Sequence, residues 1–239
     1  MSVFVLVHGS WHGGWCWDKL VPLLEKDGHR VLAPDLPSHG NDRTPPVQVT
    51  LQSYTDAIGS LVDNQPERVI LVGHSMAGSV ISQVAESRPE KIERLVYLCA
   101  FLLQDGQSVF ETASTGAGSQ LTPALIPGPV EGSLIIRDDA IIPGFYADCT
   151  PADAEWAKSM LTPEPAAPVG TPVHVTEANF GRVPRAYIET LKDAALPLEM
   201  QRQLYAALPC ETVISINSSH SPFLSRPEEL AAALASLAG

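Results

Sequence analysis

The chain has 239 residues, of which 45% are hydrophobic, and its formal net charge is −12. This length fits one large α/β domain or two small ones. The 27 acidic residues outnumber the 15 basic ones, and no basic cluster is present that could neutralise phosphates. Nucleic acid and anionic membrane surfaces are therefore disfavoured as partners.

The sequence also disfavours membrane insertion and metal binding. No apolar run reaches the roughly 18 residues of a membrane span. Residues 2–7 are too short for a secretory signal and lack its basic start. The four cysteines (Cys16, Cys99, Cys149 and Cys210) are widely spaced without a C-x-x-C pair, which argues against a zinc site and a disulfide framework. We expect a cytoplasmic protein that holds no metal.

Apolar runs alternate with helix-like segments through the first hundred residues. The predicted strands are 3–7, 30–33, 69–72 and 95–98, and the predicted helices are 18–26, 51–62 and 76–86. The strands are continuously apolar, which is typical of parallel strands covered on both faces. This β-α-β-α order predicts a doubly wound parallel sheet.

The composition changes between residues 101 and 171, where proline and glycine are frequent and no strong strand pattern occurs. A structureless loop of that length is implausible in a compact domain. We therefore predict an inserted lid of short helices, with 152–161 as the best candidate. The α/β pattern then resumes with strand 186–190, helix 199–208, strand 212–216 and helix 228–237. The predicted core thus comprises residues 1–100 and 172–239.

The segment GHSMAG, residues 73–78, directly follows the apolar strand 69–72. It nearly matches G-x-S-x-G, the pattern of a nucleophilic serine on a sharp turn between a strand and a helix. Ala77 stands where the second glycine is expected, and Gly78 follows one residue later. Ser75 could instead cap an ordinary helix. We predict that Ser75 is a nucleophile, for which a base must lie within hydrogen-bonding reach.

His220 is the best candidate for that base. It lies in a loop after strand 212–216, and ligand sites in open parallel sheets lie beyond the carboxyl ends of the strands. The other histidines have weaker claims: His8 and His12 follow the first strand, His29 precedes a strand, His39 lies in a polar loop where a solvated role is expected, His74 adjoins the serine, and His174 lies near the end of the lid.

The acid of a serine-acid-histidine order should follow the penultimate strand of the sheet. Asp193 lies there, just past strand 186–190. Its main rival is Asp105, after strand 95–98, and Asp193 could also cap the helix that begins near Pro197. We favour Asp193, because it can orient the imidazole and stabilise its protonated form.

The remaining requirement is an oxyanion hole. In this architecture one N–H comes from the residue after the nucleophile, here Met76, and a second from the loop after an early strand. That loop is HGSWHGGW, residues 8–15, in which the N–H of Ser10 is the natural donor. Each such donor typically stabilises the transition state by about 3 kcal/mol.

Together these motifs resemble the α/β hydrolases, and more narrowly the branch of plant methyl esterases and hydroxynitrile lyases. The similar segments are FVLVHGSWHGGWCWDKLVPLLEKDGHRVLAPDLPSHG, VILVGHSMAG, KIERLVYLCAF, AKSMLTPEP and AYIETLKDAALPLEMQ. The resemblance implies an α/β-hydrolase fold, with Ser75 as nucleophile, Asp193 as acid, His220 as base, and Ser10 and Met76 as oxyanion donors. It also implies a mechanism without metal or cofactor.

Two positions separate the activities within this branch. The lyases carry a threonine after the first loop histidine and a lysine directly after the catalytic histidine, whereas this chain has Gly9 and Ser221. We therefore predict a serine hydrolase that cleaves small-molecule carboxylic esters through an acyl-enzyme. A C–C lyase or thioesterase at the same site, and a non-catalytic ligand-binding protein, are the alternatives.

The partner expected from this function is a small-molecule ester, and a homodimer is the candidate assembly. Several residues near the predicted site are candidates for substrate contact, although about half of the lid aromatics are expected to be plain core. These candidates are Gly9, Trp11, His12, His74, Phe101, Phe145 and Trp156.

Overall fold

The computed structural model describes residues 1–115 and 118–238, and its strands form two sheets. The strands are β1 (Val3–Val7), β2 (Arg30–Leu32), β3 (Val69–His74), β4 (Ile92–Leu98), β5 (Leu125–Pro127), β6 (Ser133–Ile136), β7 (Glu164–Pro165), β8 (Arg185–Thr190) and β9 (Thr212–Ile216). The larger sheet has the order β2-β1-β3-β4-β8-β9, and every neighbouring pair is parallel. The predicted parallel sheet is confirmed.

The helices follow the predicted pattern closely. They are α1 (Val21–Lys26), α2 (Leu51–Asp63), α3 (Ala77–Ser87), α4 (Val109–Thr115), α5 (Asp138–Phe145), α6 (Pro151–Met160), α7 (Ala166–Gly170), α8 (Leu198–Ala207), α9 (Pro222–Ser225) and α10 (Pro227–Ser236). Most predicted helices agree with these bounds to within one residue. Helix α1 begins three residues later than predicted, because residues 14–17 form a separate 3-10 turn and Pro22 fits the first turn of the helix.

The central sheet is covered on both faces. Val5 packs in a buried cluster with residues of α2 and α3 such as Tyr54, whereas its neighbour Phe4 packs in a second cluster with Leu24 of α1 and Leu230 of α10. Successive residues of a strand point to opposite faces, so a strand buried on both sides must be apolar throughout. This explains the continuous apolar runs of the sequence.

The segment from 101 to 171 contains a second, antiparallel sheet of order β5-β6-β7 beside helices α4 to α7. The sequence predicted helices only. The three strands have two to four residues each, and Pro127 and Pro165 end two of them. Strands this short contain too few residues to show the alternation of apolar and polar residues that indicates a strand in a sequence. Residues 116 and 117 of the predicted lid lie outside the described part of the chain.

The sheet order positions the site. Strand β1 has β2 on one side and β3 on the other, so the winding of the chain changes direction there. The loops that leave such neighbouring strands diverge and open a crevice at their carboxyl ends. Ser10 follows β1 and Ser75 follows β3, and both therefore lie at this crevice. None of the helices within residues 1–115 and 118–238 has the length and hydrophobicity to cross a membrane.

Candidate active site

Ser75 lies in a strained turn between β3 and α3. Its φ angle is +55°, a left-handed conformation that is uncommon for residues other than glycine. The turn is held by main-chain bonds, since Ser75 N donates to Leu98 O at 3.2 Å and Phe101 N donates to Ser75 O at 3.0 Å. Strain of this kind persists only where the surrounding structure enforces it, and it is frequent at active sites.

The neighbours of Ser75 explain the unusual motif. A Cβ atom on Gly73 would lie 2.8 Å from the Ala77 carbonyl oxygen, and one on Gly78 would lie 2.4 Å from the Phe101 carbonyl oxygen. Both glycines are therefore required by close backbone approach. Ala77 is fully buried and its methyl group belongs to the core cluster of α2 and α3. The tight approach after the serine thus occurs at position 78, and position 77 has room for one methyl group.

His220 and Asp193 form a buried pair. Nδ1 of His220 donates to Oδ2 of Asp193 at 2.7 Å, and both side chains are almost completely buried. The carboxylate also accepts Thr190 Oγ1 at 2.8 Å, and its other oxygen accepts the N–H groups of Ala195 and Leu196, each at 2.8 Å. Asp193 therefore contacts the histidine and orders the turn before α8, but it does not cap that helix, whose N-cap residue is Pro197 without a side-chain cap bond.

The other ring nitrogen of His220, Nε2, is buried and has no hydrogen-bond partner among the described residues. A neutral imidazole that donates through Nδ1 carries its free lone pair on Nε2, which is the state that a general base requires. The rival acid, Asp105, is elsewhere. Its Oδ1 accepts Val175 N at 3.1 Å and lies 3.5 Å from Nδ1 of His174, with both side chains largely exposed.

The residues that carry the two predicted oxyanion donors lie at the same cavity as Ser75. Ser10 and Met76 both line it. Within residues 1–115 and 118–238, no acceptor is found for either of their backbone N–H groups. These N–H groups are thus available for an oxygen atom at the serine.

Three buried histidines surround the pair as neutral groups. His74 Nε2 donates to the carbonyl of His220 at 2.9 Å. His12 Nδ1 donates to Ser10 O while its Nε2 accepts the hydroxyl of Tyr146, each at 2.8 Å. His8 Nε2 accepts the N–H of Leu36 at 3.0 Å. Burial lowers the pKa of His12 to about 3 and the pKa values of His8 and His74 well below their ordinary range.

The cavity at Ser75 is mainly apolar and has about 670 Å³ of empty volume, part of it open to solvent. Of the seven predicted substrate contacts, Trp11, Phe101 and Phe145 line it. Gly9, His12 and His74 are not among the lining residues. Trp156 is also absent from the lining; it is 39% exposed, and its ring packs edge-on against Trp15. Its contact with substrate stays a prediction, since Trp156 is not among the residues that line this cavity.

Sequence reasoning missed two residues beside the cavity. His39, expected to be solvated, is fully buried and forms an ion pair with Glu164, which lines the cavity. Nothing in the local sequence of His39 signals this, since its partner lies 125 residues away. The signal available in the sequence was Glu164 itself, an isolated acidic residue in a segment that is otherwise apolar and rich in proline. Several apolar residues from the 101–171 segment also line the cavity: Leu121, Leu125, Leu134, Ile136 and Val169.

One group of side chains in the described chain could in principle ligate a metal ion. His74, Cys99 and His220 are buried and place ligand atoms within 4.8 Å of one another. However, His220 Nδ1 is bonded to Asp193, and His74 Nε2 and Cys99 Sγ both donate to the His220 carbonyl. We therefore assign these groups to the hydrogen-bond network that holds His220.

Comparison with known proteins agrees with this geometry. The chain is 35% identical over 95% of its length to Putative methylesterase 11, chloroplastic, of Arabidopsis thaliana, although it spans only 61% of that protein. It is 33% identical to Pyrethroid hydrolase of Sphingobium wenxiniae, covering 98% of this chain and 86% of that protein. The crystal structure of a pyrethroid hydrolase from Sphingobium faniae JZ-2 superposes with a TM-score of 0.89 at 31% identity, covering 99% of this chain and 96% of that one.

These names support the expectation of an esterase-type hydrolase, and they confirm the resemblance seen in the sequence motifs. The family model described as "Alpha/beta hydrolase family" matches residues 4–233, which is nearly the whole chain. The chain therefore belongs to the alpha/beta hydrolase family.

Proposed function

We propose that this protein hydrolyses small, neutral carboxylic esters through Ser75, His220 and Asp193. The observation that carries the proposal is the buried 2.7 Å bond between His220 Nδ1 and Asp193 Oδ2. It is supported by the strained turn of Ser75, whose φ angle is +55°. This pair leaves Nε2 of His220 as the basic atom. The relatives named methylesterase and pyrethroid hydrolase agree with cleavage of this kind of bond.

In this mechanism Oγ of Ser75 attacks the ester carbonyl carbon while Nε2 of His220 takes the hydroxyl proton. The N–H groups of Ser10 and Met76 stabilise the resulting oxyanion. His220 then protonates the departing alcohol, which leaves an acyl group on Ser75. A water molecule, deprotonated by His220, then attacks the acyl carbon. The bond between this carbon and Ser75 Oγ breaks, His220 returns the proton to Oγ, and the acid is released.

The cavity favours an uncharged substrate. Its described lining contains no lysine or arginine, and its one charged residue is the carboxylate of Glu164. A substrate with an additional carboxylate would lose hydration without gaining a partner. We therefore expect neutral esters with an aromatic or branched apolar group to be hydrolysed with a higher kcat/KM than anionic esters of the same size.

The test is Ser75→Ala, assayed with a neutral p-nitrophenyl ester and with a methyl ester of an aromatic acid. We expect kcat to fall about 10⁶-fold, because the three residues act as a unit. A serine-directed phosphonate should label the wild-type protein at Ser75 and fail to label the variant, as read by mass spectrometry. Ser87→Ala is the matched control, because Ser87 lies at the exposed far end of α3 and bonds only locally.

Retention of wild-type turnover in Ser75→Ala would disprove the assignment. The same assay set should include a cyanohydrin and a thioester. Cleavage of either with a higher kcat/KM than the esters would replace ester hydrolysis with the lyase or thioesterase alternative. Absence of both turnover and phosphonate labelling in the wild type would favour a non-catalytic binding protein.

A further inference from the structure

Glu164 is a fully buried carboxylate in a cavity that is otherwise lined by apolar and hydroxyl side chains. It lies on β7, in the small antiparallel sheet of the 101–171 segment. Burial of an unpaired carboxylate costs several kcal/mol, so such a group is retained only where other groups compensate it. The surroundings of Glu164 therefore show what it holds in place.

The first compensating group is His39, from the loop that follows β2. Its Nε2 lies 2.9 Å from Oε2 of Glu164, and both side chains are completely buried. Nδ1 of His39 faces the carbonyl of Pro37 at 3.2 Å, so both ring nitrogens face acceptors and the doubly protonated form is favoured. Burial alone would lower the pKa of His39, but the carboxylate of Glu164 more than offsets this and raises it. Tyr54 completes the cluster, with its hydroxyl 3.3 Å from His39 Nδ1.

The second compensating group belongs to the oxyanion loop. Oε2 of Glu164 accepts the backbone N–H of Trp11 at 2.9 Å. Trp11 has a φ angle of +63°, which is costly for a large residue and must be enforced by its surroundings. Two further hydrogen bonds join Trp11 to the 101–171 segment. Thr162 N donates to the carbonyl of Trp11 at 2.9 Å, and Nε1 of Trp11 donates to Leu134 O at 3.0 Å.

The peptide between Ser10 and Trp11 is consequently fixed at both ends. Its N–H is bonded to Glu164 and its carbonyl accepts His12 Nδ1 at 2.8 Å. The adjacent peptide carries the N–H of Ser10, and Ser10 lines the cavity together with Ser75. An oxyanion donor is effective only when it is oriented before the reaction begins. Because the two peptides share the Cα atom of Ser10, a displacement of the Ser10–Trp11 peptide would move that atom and with it the Ser10 N–H.

We propose that Glu164, paired with His39, is a positioning residue that orients the Ser10 N–H of the oxyanion hole by binding the N–H of Trp11. The inference rests on the proposed function, because it assigns Glu164 a role in stabilising the oxyanion of ester cleavage. Glu164 does not touch the reacting atoms in this role. It acts through the strained backbone of Trp11. Through Glu164, the 101–171 segment would therefore contribute to stabilising the transition state but not to binding the ester.

The test compares Glu164→Ala and Glu164→Gln with the wild type. Misplacement of a catalytic group can cost about 100-fold in rate. We expect Glu164→Ala to lower kcat by about this factor, with KM changed less than roughly threefold, because the lost interaction acts in the transition state. Glu164→Gln retains an acceptor oxygen without the charge, and since neutral hydrogen bonds are about half as strong as charged ones we expect a smaller loss, roughly tenfold.

A trifluoromethyl ketone, which forms an oxyanion on the serine, distinguishes positioning from mere stabilisation of the fold. Its inhibition constant should rise in each variant by the same factor as kcat/KM falls, whereas the affinity for the corresponding alcohol should not change. The matched control is Glu86→Ala. Like Glu164, Glu86 accepts backbone N–H groups, here from Thr176 and Phe180, but none of these three residues lines the cavity. This control should leave kcat and the inhibition constant unchanged.

Wild-type kcat and ketone affinity in any folded Glu164 variant would overturn the inference. An equal loss in Glu86→Ala would also overturn it, because the effect would then be general destabilisation. Glu164→Gln keeps the test decisive if Glu164→Ala does not fold. Ser75→Ala is assayed in parallel to separate the two proposals. If Ser75→Ala remains active, the proposed function fails. If Ser75→Ala is inactive while the Glu164 variants keep wild-type activity, only the role of Glu164 is rejected.

Discussion

The two walls of the cavity are held in place by different kinds of interaction. The sheet wall is lined by Ser75 and Ser10, and we count with it Asp193 and His220, which follow strands of the same sheet but are not among the lining residues. The strained turn of Ser75 and the hydrogen bonds that converge on Asp193 fix the polar atoms of this wall. The lid wall, from the 101–171 segment, consists mainly of apolar side chains such as Leu125 and Ile136. Hydrogen bonds are directional and apolar contacts are not.

This difference implies that reactivity and substrate choice can be altered separately. A change on the sheet wall should act on kcat, because it moves groups whose positions matter in the transition state. A change on the lid wall should act on KM, because it removes contact area that the bound ester and the transition state share. Glu164 is the exception, since it comes from the lid segment but bonds the oxyanion loop.

After Ser75→Ala, the largest effect is expected on the sheet wall, from Asp193→Asn. An amide at this position favours the wrong tautomer of His220, so kcat should fall about 10⁴-fold with little change in KM. Asp105→Asn is the matched control, because that carboxylate is exposed and remote from His220. Steady-state kinetics with one neutral ester measure both variants. A similar loss in the two would show that the acid has been misassigned.

A second prediction concerns stability in acid, which should arise from the core and not from the lid segment. Residues 101–171 contain no histidine, whereas His8, His12 and His74 are buried in the core. Their folded pKa values are lowered, to about 3 for His12, so below pH 6.5 the unfolded chain binds more protons than the native one. Stability should therefore fall as pH decreases from 6.5 to 5, by up to about 1.4 kcal/mol per pH unit for each histidine.

Urea unfolding at several pH values within this window measures the slope, and few carboxylates titrate there. His12→Gln should reduce the slope, because the glutamine that replaces this histidine does not titrate. His174→Gln is the control, since His174 is exposed and should contribute little. A stability that does not change between pH 6.5 and 5 would contradict the neutral state assigned to the three buried histidines.

The two walls also differ in how far the sequence predicts them. The parallel sheet, and the bounds of most predicted helices to within one residue, follow from apolar runs and periodicity, because these patterns are local. Ser75, Asp193 and His220 could be proposed because each follows a strand of one sheet, whose carboxyl ends share an edge. The pairing of His39 with Glu164 could not be predicted from the sequence. The two residues are 125 positions apart, and Glu164 lies in a small sheet whose strands have no clear sequence signal.

The smallest effect is expected on the lid wall, where neighbouring residues of β5 offer a matched pair. Leu125 lines the cavity, whereas Ile126 is 37% exposed and does not line it. Leu125→Ala should raise KM for a bulky apolar ester about tenfold, through lost contact area, and leave kcat nearly unchanged. With a short acetate ester, and in Ile126→Ala, KM should stay at the wild-type value. A fall in kcat rather than a rise in KM would mean that apolar contacts of the lid wall also orient the reacting groups. The separation between a wall that acts on kcat and a wall that acts on KM would then be wrong.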